Sequence, residues 1–184
     1  MGESRGARIR RNLIRGNDVG VGVTEGAAPA VEENEIAGCV FGIVVSDAGS
    51  DPLVASNAIA GCRSAGILVD GAAGGVYEGN GVTGPGGVGI RVEGAGTFAR
   101  LLGNRVTGWT RTAVRIADGA GAECRANDLR DNPGVAWRLD GAGDVRRTGN
   151  LEGEAAGPGG PEPADPGSQT SLNVPLTTSD PAPD

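Results

Sequence analysis

Asparagine returns along this chain at a nearly constant interval. Asn12, Asn34, Asn57, Asn80, Asn104, Asn127 and Asn150 are separated by 22, 23, 23, 24, 23 and 23 residues. Two positions after each of the first six stands an apolar residue: Ile14, Ile36, Ile59, Val82, Val106 or Leu129. Three positions before stand Ile9, Val31, Val54, Tyr77, Leu101 and Cys124, and Arg147 breaks that series. Nine or ten positions after comes an apolar pair spaced by two: Val21/Val23, Ile43/Val45, Ile67/Val69, Ile90/Val92, Val114/Ile116 and Trp137/Leu139. Period two places these residues on one face of short strands, and helical spacing is absent. A repeat of this length means a solenoid. Three strands in each repeat make one coil, with every strand pairing in parallel with its counterpart in the next. Leucine-rich repeats share the period but not the composition, and a period of five is absent.

The N-x-[IVL]-x-G core and the G-[IV]-x-V strand, as in Asn34–Gly38 with Gly42–Val45, resemble the right-handed parallel β-helix repeats of the pectate-lyase-like superfamily. The fold expected is all-β: a right-handed parallel β-helix of about six coils, 22–24 residues each, over residues 1–152. Identical polar side chains in successive coils would lie about 4.8 Å apart, the spacing between strands. A carboxamide both donates and accepts, so such a column can hydrogen-bond along its whole length. Asparagine also tolerates the left-handed backbone of tight turns. The asparagine column therefore reads as structural.

Composition limits the chemistry. The sequence holds 35 glycines, few aromatics, no histidine and no lysine; all sixteen bases are arginine. Histidine bases, histidine metal sites and lysine Schiff bases are excluded. Of the net charge of −7, five units come from residues 153–184, where Glu154, Glu162, Asp165, Asp180 and Asp184 meet no base. That Pro/Gly-rich stretch reads as a disordered acidic tail, because it lacks the apolar surface to fold alone. Its short SLNVPL run, 171–176, is a candidate to dock on the last coil. Neither part offers the basic face of a nucleic-acid binder. No apolar run approaches the roughly 18 residues of a membrane span. No signal peptide is visible at MGESRGARIRRN; the resemblance implies an extracellular protein if the N-terminus is incomplete. The first coil starts close to Met1, so a missing cap or a neighbouring domain is expected to pack on Ile9, Ile14 and Val21.

Two outward columns are candidates for chemistry. An acid follows the second apolar pair in every coil: Glu25, Asp47, Asp70, Glu93, Asp118 and Asp140. Asp47, Asp70 and Glu93 are candidate calcium ligands, since Ca²⁺ takes six to eight oxygens. Paired carboxylates could also serve acid catalysis. The competing reading is that Asp-Gly starts a turn, and a feature of every coil reads first as a rule of the coil. Between the paired inward residues, the outward column reads Gly22, Val44, Leu68, Arg91, Arg115, Arg138. Its apolar half would expose a stripe that another chain, domain or the tail could cover. Its arginines, with Glu93, Asp118 and Asp140, form a mixed-charge strip. The resemblance implies acidic polysaccharide along such a face, with arginine on its carboxylates. The alternative is a self-neutralising ladder of little energetic worth.

Cys39 and Cys62 fall in one column, as a disulfide candidate or as buried thiols. Trp137 is a candidate plug for the final coil. Trp109, if exposed, could stack on a sugar ring, but core or turn packing is the favoured reading. Two functions stand: a module binding or processing an acidic polysaccharide, or a non-catalytic scaffold forming part of a larger β-helix protein. Catalysis by this chain alone is disfavoured, because no tight acidic motif marks a single coil.

Overall fold

Each coil consists of three short strands, and corresponding strands of successive coils stack into three sheets. The computed structural model describes residues 6–153; residues 1–5 and all of the acidic tail beyond Gly153 lie outside the described residues. The first sheet runs in coil order from Arg8–Arg10 to Val145–Thr148 with seven strands. The second runs from Leu13–Arg15 to Leu151–Glu152, also with seven. The third has six: Val19–Val23, Phe41–Val45, Ala65–Val69, Val88–Glu93, Thr112–Ala117 and Val135–Asp140. Six complete coils are therefore followed by two strands of a seventh. Every pairing is parallel, as in Ile36 with Ile59 and Ile90 with Val114. Among the described residues there is no helix, and none long and apolar enough to cross a membrane.

The inward positions read from the sequence form one continuous core. Val31, Val54, Tyr77 and Leu101 from the first sheet meet Ile36, Ile59, Val82 and Val106 from the second. Ile43, Ile67, Ile90 and Ile116 close it from the third. Burial of such aliphatic side chains contributes about 1.5–3 kcal/mol each. The end coils depart from this pattern: Ile9, Ile14 and Trp137 are half-buried, and Leu139 is 44% exposed.

The asparagines are hydrogen-bonded along the whole stack. Asn80 Nδ2 donates to Asn104 Oδ1 at 3.0 Å and to the Val54 carbonyl at 2.9 Å. Its Oδ1 accepts from the Asn57 backbone N–H and from Asn57 Nδ2, both at 3.0 Å. The same links join Asn12 to Asn34, Asn34 to Asn57, Asn104 to Asn127 and Asn127 to Asn150. Every donor and acceptor of an inner carboxamide is used, in positions no more than 2% exposed.

The left-handed backbone lies one residue earlier than expected. No ladder asparagine has positive φ; the residue before each one does. These are Arg11, Glu33, Ser56, Gly79, Gly103, Ala126 and Gly149, at φ between 53° and 63°. That residue turns the chain from the first sheet to the second, which leaves the asparagine free to aim its side chain inward. For a non-glycine residue the conformation costs roughly 1–2 kcal/mol, offset by the bonds it sets up.

Trp109, the sugar-stacking candidate, is fully buried, and its Nε1–H donates to the Val82 carbonyl at 3.1 Å. Its ring occupies space left by glycines of the preceding coil. A Cβ on Gly84 would meet the ring at 2.7 Å, and one on Gly89 would meet Nε1 at 3.1 Å. Cys39 and Cys62 are buried free thiols.

Asn80→Ala is expected to lower stability by about 3 kcal/mol or more, because it takes the acceptor from the buried Asn57 donors and the donor from Asn104 Oδ1 and the Val54 carbonyl. Asn12→Ala, at the exposed end of the ladder, is expected to cost about 1 kcal/mol or less. Urea unfolding midpoints of the two variants test the difference.

Candidate functional site

On the third sheet, Ile90 and Val92 face inward and Arg91 faces out, and the following two coils repeat the pattern. The register places Arg91 beside Arg115 and Arg115 beside Arg138. Three guanidiniums one strand spacing apart would repel each other. The neighbouring column answers this, for it reads Glu93, Ala117, Asp140 in the same register. The middle coil lacks an acid, and its arginine shares the acids on either side. Arg91 Nε lies 2.6 Å from Glu93 Oε2, and Arg115 Nη1 lies 3.5 Å from the same oxygen. Arg115 Nε reaches Asp140 Oδ2 at 2.8 Å, and Arg138 Nε reaches it at 2.9 Å. The result is an unbroken chain, Arg91–Glu93–Arg115–Asp140–Arg138. Hydrogen bonding from Arg115, aided by Arg138, holds the Asp140 carboxyl below its ordinary value.

The acid column predicted from the sequence divides in two. Val69 pairs with Val92, so Asp70 continues into the column of Glu93 and Asp140. Glu25, Asp47 and Asp118 stand one position further on, with left-handed φ of 58°, 74° and 55°. Gly71, Gly94 and Gly141 fill that place in the other coils, with φ of 62°, 90° and 62°. An acid in this sequence therefore sits either on the left-handed turn or just before it. Counting from the apolar pair merged the two columns, and the positive φ of one of them separates them. Asp118 is exposed and outside the charged chain. Asp47 Oδ2 accepts the Glu25 N–H at 3.0 Å, and Asp70 accepts from the Ser46 hydroxyl. Of the three candidate calcium ligands, Asp70 and Glu93 share a column on adjacent coils, while Asp47 stands one position further on. Among the described residues no three Cys, Asp or Glu side chains group as a metal-holding cluster.

The apolar half of the arginine column is not evenly open. Gly22 is exposed and Val44 half-buried, but Leu68 is only 9% exposed. Nucleophiles elsewhere are withdrawn. Burial pushes the Cys62 thiol up to about 11 and the Cys124 thiol up to about 12, and raises the Tyr77 phenol.

Two features were not anticipated. On the second sheet Arg130 grips Asp128 with two bonds, 2.9 and 3.0 Å, and Arg105 Nη1 lies 3.5 Å away. Arg130 is the main cause of an Asp128 carboxyl held down at about 2. At the last coil a cleft of about 340 Å³ opens beside Trp137, Arg147 and Glu152. Trp137 Nε1–H donates to Glu152 Oε1 at 2.7 Å, and the Arg147 guanidinium lies 5.2 Å from the Trp137 ring centroid. Trp137 thus covers the core edge rather than plugging it.

Asp128 and Asp140 both have folded values below their unfolded ones. Their contribution to stability is complete above the unfolded carboxylate value of about 4 and is lost as pH falls further. An Asp128→Asn/Asp140→Asn variant is expected to show a flatter decline in thermal midpoint between about pH 4 and pH 2 than the parent. An equal decline in both proteins would contradict the assignment.

Residues 1–106 match the family described as the right-handed β-helix region. Among solved structures, a double mutant of the periplasmic alginate epimerase AlgG superposes with a TM-score of 0.65 at 16% identity, covering 81% of this chain and 43% of that one. The epimerase without named substitutions gives 0.63 at 17% identity, over 76% of this chain and 39% of that one. At this identity the likeness is one of fold, and this chain spans well under half of either neighbour. No curated protein matches the sequence. With the family matched over more than half its length and three parallel sheets stacked in register, the chain belongs to the right-handed β-helix family.

Proposed function

We propose that this domain holds an acidic polysaccharide along the outer face of its third sheet, as a binding module without turnover of its own. The observation that carries the reading is the chain Arg91–Glu93–Arg115–Asp140–Arg138, in which three cations face two anions. The five groups of this chain, aligned with the helix axis, sum to one positive charge, which Asp70 in the same acid column one coil earlier offsets. Each guanidinium has five donors, and the ion pairs of Arg91 and Arg115 with Glu93 and Asp140 occupy only some of them. A polymer bearing one carboxylate per sugar could take up the rest, in the fork geometry that suits guanidinium. Alginate, on which the structural neighbours act by name, is such a polymer.

Binding without turnover is supported by the state of the ionisable groups. A general acid needs an accessible carboxyl with a raised value, and Asp140 is shifted the other way. The Tyr77 hydroxyl is buried and bonded to the Gly74 carbonyl, out of reach of a ligand on the third sheet. Because the face is mostly self-neutralised, affinity should be modest and should fall with salt.

Titration with alginate and polygalacturonate, with and without calcium, tests the proposal. Binding at low ionic strength is expected to weaken about tenfold or more in the Arg91→Ala/Arg115→Ala/Arg138→Ala variant, a loss of about 1.4 kcal/mol. No unsaturated or epimerised product is expected from the parent. Undiminished binding in the triple variant would refute the site. Absence of binding by a folded parent would leave the ladder a structural one, the role of a scaffold.

A further inference from the structure

The third sheet ends in an open strand. Val135–Asp140 is last in its order and pairs only with Thr112–Ala117 among the described residues. In that neighbouring strand Thr112, Val114 and Ile116 are at most 3% exposed. Their register partners Val135 and Leu139 are both 44% exposed, and Trp137 is half-buried. Trp137 and Gly153 both line the cleft at this end. Gly153 is also the last described residue, so the rest of the chain is tethered at the rim of that cleft.

We propose that Ser171–Leu176 of this same chain covers the end by lying parallel along Val135–Asp140 as a seventh strand of the third sheet. Four observations select this segment. Residues 154–184 contain three large aliphatic side chains, and all of them are here: Leu172, Val174 and Leu176. They alternate, so a strand puts them on one face, with the same spacing as Val135, Trp137 and Leu139. The edge of Val135–Asp140 offers the unpaired N–H and C=O groups that strand addition uses. Pro175, which lacks an N–H, is tolerated at an outermost strand and discourages pairing beyond it.

The reach is sufficient. Residues 154–170 lie between the cleft and the segment, and an extended chain spans about 3.3 Å per residue. Residues 158–163, PGGPEP, fall where the next third-sheet strand would come and have no apolar alternation. The chain therefore skips one stretch and supplies the strand later. The occupant is a terminal segment tethered beside its own site, so its effective concentration is high without a large interface.

Hydrogen exchange and acrylamide quenching of the full chain test this against a Leu172→Asp/Val174→Asp/Leu176→Asp variant. Trp109 is fully buried, so the quenchable emission reports Trp137. In the variant, amides 135–140 are expected to exchange about tenfold faster or more, with Trp137 more quenched and the other coils unchanged. A chain ending at Thr170 gives the same comparison without new charges. Equal exchange and quenching in parent, variant and shortened chain would overturn the proposal. So would protection of the strand that disappears on dilution of the parent, because that would assign the edge to a second copy.

Discussion

The carboxamide ladder is the interaction on which the rest of this structure depends. A buried polar column would be a liability in any other fold, since each unsatisfied donor or acceptor costs about 1–3 kcal/mol. Here each inner asparagine links to the coils on both sides, so its four hydrogen-bonding positions are filled, three by neighbouring asparagines and one by a backbone carbonyl. That arrangement exists only when successive coils stack in register. A slip of one residue would turn the apolar set of a strand outward and would also break the ladder. Two independent penalties thus enforce one alignment.

With the register fixed, residues distant in the chain become vertical neighbours, and their compatibility is decided column by column. The arginines of the last three complete coils are tolerable because Ala117 interrupts the acids beside them, leaving Glu93 and Asp140 to serve two guanidiniums each. Trp109 is tolerable because Gly84 and Gly89 leave room for its ring. In both cases a large or charged residue in one coil is matched by a reduction in a neighbouring position. Such compensation is what lets a repeat protein vary its coils without losing its stack.

The same logic bears on function. A feature common to every coil serves the coil, as the left-handed residues before the asparagines do. A feature confined to a few consecutive coils escapes that explanation, and the arginine column is the clearest example. Its charges are largely spoken for by their own neighbours, which separates it from an open cationic cleft. That separation is the observation on which the proposed contact with an extended anionic polymer rests.

The asparagine period and the three period-two stretches determined the fold class, the coil count and nearly every inward residue, because these follow from local alternation and a repeat length. The single-residue offset that separates Asp118 and Asp47 from Glu93 and Asp140 was not legible. The acids alone do not reveal which of two adjacent positions has positive φ. Nor was the source of the room for the buried Trp109 ring, which glycines of the preceding coil leave open. What each side chain touches across coils was decided only by the tertiary structure, because a β-helix forms its decisive contacts between residues about 23 apart. The sequence states which residues recur; the stacked register determines which of them meet.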